Sequence, residues 1–169
     1  MTHTIKLDAL PLGSAKTYLF TIVFVVGNLL LPQLAHLIPQ GGLIFLPIYF
    51  FTLIAAYKYG IHVGVLTAIL SPLVNNLLFS MPPTAVLPAI LVKSILLALA
   101  ASYMAKKVGK VSVTALLLVV LAYQLFGTAV EWVLTKNFLM AVQDFRIGVP
   151  GILIQIVAGY FLLKAIEKV

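Results

Sequence analysis

The sequence contains no cysteine and few charged residues, and these two absences exclude several classes of protein. Without cysteine the chain cannot form disulfides, thiolate metal sites or a cysteine nucleophile. Charged residues make up 9% of its 169 residues, and only 4 of them are acidic against 11 Lys and Arg. A soluble domain has about a quarter charged residues. The composition therefore excludes an ordinary soluble domain.

Motifs that carry common enzyme chemistry are also missing. The sequence has no G-x-x-x-x-G-K-[ST] phosphate loop, so we expect no ATP hydrolysis by this chain itself. H-E-x-x-H and G-x-S-x-G are absent as well. The three histidines are scattered along the chain at His3, His36 and His62. We therefore expect neither an enzyme nor a metal or cofactor site.

Long apolar runs dominate what is present. The chain is 63% hydrophobic, and a helix of roughly 20 apolar residues crosses a ~30 Å hydrocarbon core. Proline, glycine and lysine clusters divide the sequence into six such runs. The sequence predicts a single all-α domain over residues 1–169, a polytopic membrane protein with six transmembrane helices at approximately 17–38, 43–57, 61–80, 84–105, 111–135 and 148–166.

Basic residues flank these runs unequally, and this predicts the orientation. Eight basic residues fall on the side of the termini: Lys6, Lys16, Lys58, Lys106, Lys107, Lys110, Lys164 and Lys168. Only Lys136 and Arg146 fall on the other side. The positive-inside rule therefore predicts that both termini are cytoplasmic. Because the lysines form no dense patch, we expect membrane lipid and not nucleic acid as a partner.

Amides and charges inside the predicted spans fall in the outer half of the membrane. They are Asn28, Gln33, Asn75, Asn76, Lys93, Gln124, Glu131 and Gln155. Polar groups in lipid cost several kcal/mol unless they are satisfied. A one-sided cluster therefore indicates a cup that opens to one face, whereas a through-pore would spread polarity over the whole thickness.

Span five has the most regular polar pattern. Gln124, Thr128, Glu131 and Thr135 recur at i, i+4, i+7 and i+11, which places them on one helical face. This spacing favours a shared polar interior. The alternative is that Glu131 and the adjacent Trp132 mark only the membrane boundary, while Gln124 bonds a neighbouring helix.

Of the residues in the predicted spans, Lys93 has the highest free-energy cost of insertion into a membrane. A lysine near the bilayer centre costs about 2.5–3.5 kcal/mol on insertion scales, so it needs a partner. Two partners remain open: an ion pair with Glu131, or an anionic group of a ligand. Asn75 and Asn76 also leave two interpretations open, a polar pocket or hydrogen bonding between helices.

The predicted site combines these polar residues with aromatic side chains and a histidine near span ends. The predicted substrate-binding residues are His36, Tyr49, Asn75, Asn76, Lys93, Gln124, Thr128, Glu131, Trp132 and Gln155. We expect the loops 39–42 and 136–147 to cap this cup.

Residues 45–94 carry a family resemblance. The run FLPIYFFTLIAAYKYGIHVGVLTAILSPLVNNLLFSMPPTAVLPAILVKS contains L-P, a turn with spaced glycines, S-P-L, M-P-P and a second L-P. It resembles the substrate-binding S components of energy-coupling factor (ECF) transporters, which are vitamin importers related to ABC transporters. Span one departs from the family's pattern of small residues, since TYLFTIVFVVGNLL contains only Gly27.

The resemblance implies a prokaryotic plasma-membrane protein with six helices and cytoplasmic termini. It also implies a vitamin-like substrate bound near the extracellular face, a transmembrane coupling subunit and two ATPase subunits as partners. The competing interpretation is a self-contained membrane protein, either a small channel or a scaffolding subunit of another complex.

Overall fold

The structure is a computed structural model that describes residues 9–167. Those residues form helices and connecting turns, and no strand occurs among them. The α-helices, in chain order, are α1 Ala15–Ala35, α2 Gly41–Phe45, α3 Phe50–Tyr59, α4 Ile61–Phe79, α5 Leu87–Val108, α6 Val113–Thr135, α7 Phe138–Ala141, α8 Gln143–Arg146 and α9 Val149–Ile166. A 3-10 turn, Pro47–Tyr49, joins α2 to α3.

Five helices of the described chain are long and apolar enough to cross a membrane: α1, α4, α5, α6 and α9. Their ends lie within three residues of predicted spans one, three, four, five and six. Their outward faces expose large apolar side chains such as Ile22, Leu77, Phe126 and Phe161. In water these faces would be unfavourable, so the helices indicate a multi-pass membrane protein.

The predicted second span, 43–57, differs from a single transmembrane helix. Leu46 adopts a left-handed conformation with φ 47°, and Pro47 follows it, so the helix stops there and restarts at Phe50. The 10 residues of α3 reach only about 15 Å, half of the hydrocarbon thickness. All of α3 from Thr52 to Tyr59 is buried. The segment is therefore a broken, central element of the bundle.

Contacts between connecting segments define two ends of the bundle. At the termini end, the Leu10 N–H donates to the Tyr59 carbonyl at 3.2 Å and the Tyr57 hydroxyl donates to the Lys110 carbonyl at 2.8 Å. Lys58, counted among the basic residues on the side of the termini, is buried there, and its ammonium lies 3.5 Å from the Glu167 carbonyl. The loop end is formed by residues 36–48, 80–86 and 136–148.

A buried asparagine holds α3 in the centre. The Asn28 amide donates to Thr52 Oγ1 at 3.0 Å and to Ser71 Oγ at 3.1 Å, and its Oδ1 accepts from the Phe51 N–H at 3.1 Å. The Asn75 amide donates to the Asn28 carbonyl at 2.8 Å. These bonds join α1, α3 and α4. They correspond to the helix-bonding interpretation of Asn75.

Candidate functional site

Three ionisable side chains, those of Lys93, Glu131 and Asp144, meet at the loop end, and we call them the charged cluster. The Lys93 ammonium lies 2.5 Å from Glu131 Oε2 and 2.8 Å from Asp144 Oδ2. The exposed fractions of the three side chains are 3%, 12% and 13%. The ion pair with Glu131 that the sequence left open is therefore present in the structure. Asp144, on α8, is a partner that the sequence reasoning missed.

One feature of the sequence could have indicated Asp144 as a partner of Lys93. The chain has only 4 acidic residues, and Asp144 occupies the connection predicted to cap the cup. In a chain with so few acidic residues, an acidic residue in a loop predicted to cover a buried lysine is a candidate partner for that lysine. Its contact nevertheless spans 51 residues and could not be read from local periodicity.

Gly127 on α6 creates the space for Lys93. A Cβ at this position would lie 2.5 Å from Lys93 Cγ, closer than real Cβ contacts. The aliphatic part of Lys93 therefore runs against the backbone of α6, between the turns that carry Gln124 and Glu131. The role of Gly127 depends on the distance between α5 and α6, which the sequence does not reveal.

Four buried side chains form a second group, the tyrosine–glutamine network. The Tyr123 hydroxyl donates to Gln155 Oε1 at 2.9 Å, and the Gln124 amide donates to the Tyr123 oxygen at 3.0 Å. The rings of Tyr49 and Tyr123 are 5.3 Å apart. Asp144 of the charged cluster interacts electrostatically with both tyrosines.

The network has unused hydrogen-bonding capacity. Gln124 Oε1 and Gln155 Nε2 are buried without a partner, and so is Thr128 Oγ1 one residue after Gly127. A buried polar atom without a partner costs about 1–3 kcal/mol. An acceptor and a donor left free in one network are typical of a site that is completed by a ligand or water.

A cavity of about 400 Å³ reaches this network from the side of α1 and α9. Gln155 is the one amide in its lining, which is otherwise apolar: Leu31, Leu34, Ala35, Phe45, Pro47, Phe50 and Ile154. Gln155 Nε2 has no hydrogen-bond partner and is itself buried.

A second cavity, of about 410 Å³, lies between α1, α2, α4 and α5 at the loop end. Its lining includes the predicted residues His36 and Asn75 together with the proline-rich segment 80–83. Asn75 Oδ1 is buried without a partner, while the Asn75 amide bonds α1. Asn75 thus has both a structural bond and a free acceptor.

The structure does not bring all ten predicted residues into one cup. Asn76 donates to the Pro82 carbonyl at 2.8 Å and so holds the α4–α5 connection. Trp132 is 51% exposed and stacks edge-on against Phe138 at 5.3 Å, on the outer surface of the bundle. His36 and Asn75 line the second cavity. The remaining predicted residues lie on α5, α6, α9 and the 3-10 turn, around the charged cluster and the network.

The arrangement is suited to binding a small molecule. Among residues 9–167 no group of three or more His, Cys, Asp or Glu side chains could hold a metal ion. The loop end instead combines an ion cluster, free amide atoms and aromatic rings, which are the groups that orient a small molecule in a largely apolar pocket.

No protein-family model matches the sequence, and no curated protein and no solved structure matches it significantly.

Proposed function

We propose that this chain is the substrate-binding membrane subunit of an ECF-type importer and captures a vitamin or related micronutrient at the extracellular face. The observation that carries the proposal is the position of the free polar atoms. Gln124 Oε1 and Gln155 Nε2 are buried without a partner, and both glutamines bond Tyr123, which interacts electrostatically with Asp144 of the charged cluster. The resemblance of residues 45–94 to the S components supports the same function.

The proposal includes a six-segment topology in a prokaryotic plasma membrane. The five long helices each cross the bilayer, and residues 41–59 form the sixth, composite crossing through the centre of the bundle. Both termini are then cytoplasmic, as the distribution of lysine predicts. The loop end faces outwards, where substrate arrives.

Energy for import comes, in this proposal, from partner subunits. The sequence lacks a phosphate loop, so a coupling subunit and two ATPase subunits supply ATP hydrolysis. Membrane lipid surrounds the exposed apolar faces of the long helices.

The alternative of a channel is less well supported by the packing. A channel needs a polar path through the whole bilayer. The centre of this bundle is filled by apolar side chains with no solvent exposure, including Leu53, Ile54, Leu97 and Leu116. A scaffolding subunit has no need of free polar atoms beside a buried ion cluster.

Mass spectrometry of the purified protein tests the binding role. We expect a small molecule of vitamin size to co-purify with the detergent-solubilised chain and to be released on denaturation. Protein carrying Gln124→Leu and Gln155→Leu is the comparison, because it retains the charged cluster but loses the free amide atoms. Recovery of the same molecule in equal amount from both proteins would contradict the assigned site.

Reconstitution tests the dependence on partners. In liposomes without an ion gradient, the chain alone should bind the identified molecule without accumulating it. Concentrative uptake should require a coupling subunit, both ATPase subunits and ATP. Uptake by the chain alone under these conditions would exclude the proposed role.

A further inference from the structure

We propose that the substrate carries a positively charged group, an ammonium or a cationic ring nitrogen, that binds at the charged cluster formed by Lys93, Glu131 and Asp144. This inference rests on the proposed function and specifies the chemical class of its substrate. It differs from the anionic ligand that Lys93 alone suggests.

The cluster contains more acidic than basic groups. Two carboxylates, Glu131 and Asp144, share the single ammonium of Lys93. The other basic residues of the loop end, Lys136 and Arg146, are exposed, and within the described chain neither makes an ion pair with these carboxylates. A surplus charge in a mostly buried site is unfavourable unless a counter-charge joins it.

The cluster also has more acceptors than donors. Two carboxylates offer about eight lone-pair positions, whereas a lysine ammonium has only three N–H donors. Gln124 Oε1 is a further buried acceptor without a partner. A ligand that carries N–H donors and a positive charge would supply the missing hydrogen-bond donors. An anion would instead have to compete with two carboxylates for Lys93.

Two buried tyrosine rings that interact electrostatically with Asp144 favour a cation for an independent reason. Tyr49 and Tyr123 are buried, lie 5.3 Å apart and are within electrostatic range of Asp144. The faces of aromatic rings carry partial negative charge and attract ammonium groups within about 6 Å of the ring centre. Carboxylates and tyrosine faces together are typical of sites for organic cations.

Asp144 gives such a ligand a way into the cluster. It lies on α8, a four-residue helix in the connection between α6 and α9. The other two members lie within the long helices α5 and α6. In this proposal, a displacement of the short connection would separate Asp144 from Lys93 and expose the carboxylates at the loop end.

Matched probe molecules test the sign of the ligand's charge. Benzylammonium, benzyl alcohol and benzoate have similar size and carry positive, no and negative charge. Each is titrated into the detergent-purified protein at neutral pH, with calorimetry and the thermal unfolding midpoint as readouts. We expect benzylammonium to bind at least tenfold more tightly than the other two and to raise the midpoint. Equal binding of the three, preference for benzoate, or no stabilisation by benzylammonium at millimolar concentration would overturn the inference.

Variants of the two carboxylates test whether benzylammonium binds at the charged cluster. Glu131→Gln and Asp144→Asn each remove the surplus negative charge, so each should weaken benzylammonium binding at least tenfold. Glu167→Gln is the control, because Glu167 pairs with Lys164 at the termini end, and it should bind the probe like the unmodified protein. If one cluster variant does not fold, the other still gives the result. Unchanged binding in the folded cluster variants would exclude this site.

The molecule that co-purifies with the protein separates this inference from the proposed function. A bound vitamin-like molecule without a cationic group would overturn the charge assignment and leave the importer role intact. Binding of benzylammonium at the cluster, combined with no partner-dependent uptake of the co-purified molecule, would overturn the importer role alone.

Discussion

At the scale of single residues, Lys93 determines whether two carboxylates can remain inside the protein. Lys93→Met would leave Glu131 and Asp144 close together without their shared counter-charge. Removing one partner of a buried ion pair costs about 3–5 kcal/mol, so we expect a marked fall in the thermal unfolding midpoint in detergent. The double change Lys93→Met with Glu131→Gln should recover much of this loss, because it also removes one charge.

A lysine elsewhere on α5 provides the matched control. Lys106 is exposed near the termini end, so Lys106→Met should leave the midpoint almost unchanged. If Lys93→Met were as stable as Lys106→Met, the ion cluster would have no structural role. If the double variant were less stable than Lys93→Met, Glu131 would not be the stranded charge.

Gly127 allows a second prediction about the same lysine. An alanine Cβ would approach Lys93 Cγ to 2.5 Å, so Gly127→Ala should displace the lysine stem and destabilise the protein by about 1–3 kcal/mol, the usual range for overpacking. In a Lys93→Ala background the clash disappears, and Gly127→Ala should then have little further effect on the unfolding midpoint.

Gly13 is a suitable control for the glycine substitution. A Cβ at Gly13 has no neighbour within 4 Å, so Gly13→Ala should leave the midpoint unchanged. An equal loss for Gly127→Ala with and without the Lys93 side chain would show that the contact with Lys93 is not its cause.

The residues of the site were predictable from sequence only in part. The lipid environment makes Lys93 and Glu131 conspicuous, because each needs a partner in an apolar helix. Asp144 lies outside the predicted apolar helices and Gly127 has no polar side chain, so neither is conspicuous in this way. Asp144 acts through a contact between a loop and a distant helix, and Gly127 acts through the close approach of two backbones. Both depend on tertiary packing, which helical periodicity does not contain.

At the scale of elements, the long helices follow directly from the apolar runs and their breakers, whereas the second predicted span does not. Pro47 signals an interruption, but the sequence does not reveal that α3 lies in the centre of the bundle. That position depends on close packing, such as the approach of Gly64 on α4 to Ala56, where a Cβ would lie 2.5 Å from the alanine Cβ. An apolar run has the same composition whether its helix faces lipid or lies in the centre of the protein.

The Asn28 bonds to α3 and α4 lead to an element-scale prediction. Asn28→Ala removes two donated bonds and leaves the Phe51 N–H without its acceptor. Hydrogen bonds between membrane helices contribute about 0.6 kcal/mol each on average, and a stranded buried group costs more. We therefore expect a lower unfolding midpoint and faster hydrogen exchange at the start of α3.

Gln33 on the same helix is the control for Asn28. Its Nε2 has no hydrogen-bond partner, so Gln33→Ala should leave the exchange of α3 unchanged. If exchange at the Phe51 amide were equally slow in Asn28→Ala and in the unmodified protein, Asn28 would not be what holds the start of α3.

At the scale of the whole molecule, composition and charge determine insertion into the membrane and its direction, whereas packing determines the structure of the loop end. Composition alone predicts membrane insertion, and the lysines predict its direction. Neither reveals how the loop end is built, with its two cavities, its ion cluster and its free amides. The direction of insertion decides whether those groups meet extracellular substrate or the cytoplasm, so it is the property on which the proposed function most depends.

Single-cysteine labelling in intact cells measures this direction, and the absence of natural cysteine removes any background. Lys107 is exposed at the termini end, and Lys136 and Met81 are exposed at the loop end. A membrane-impermeant maleimide should label Lys136→Cys and Met81→Cys in intact cells, and Lys107→Cys only after permeabilisation. These sites are better than Lys58, which is buried. Labelling of Lys107→Cys in intact cells would place the loop end in the cytoplasm, where it could not capture substrate from outside.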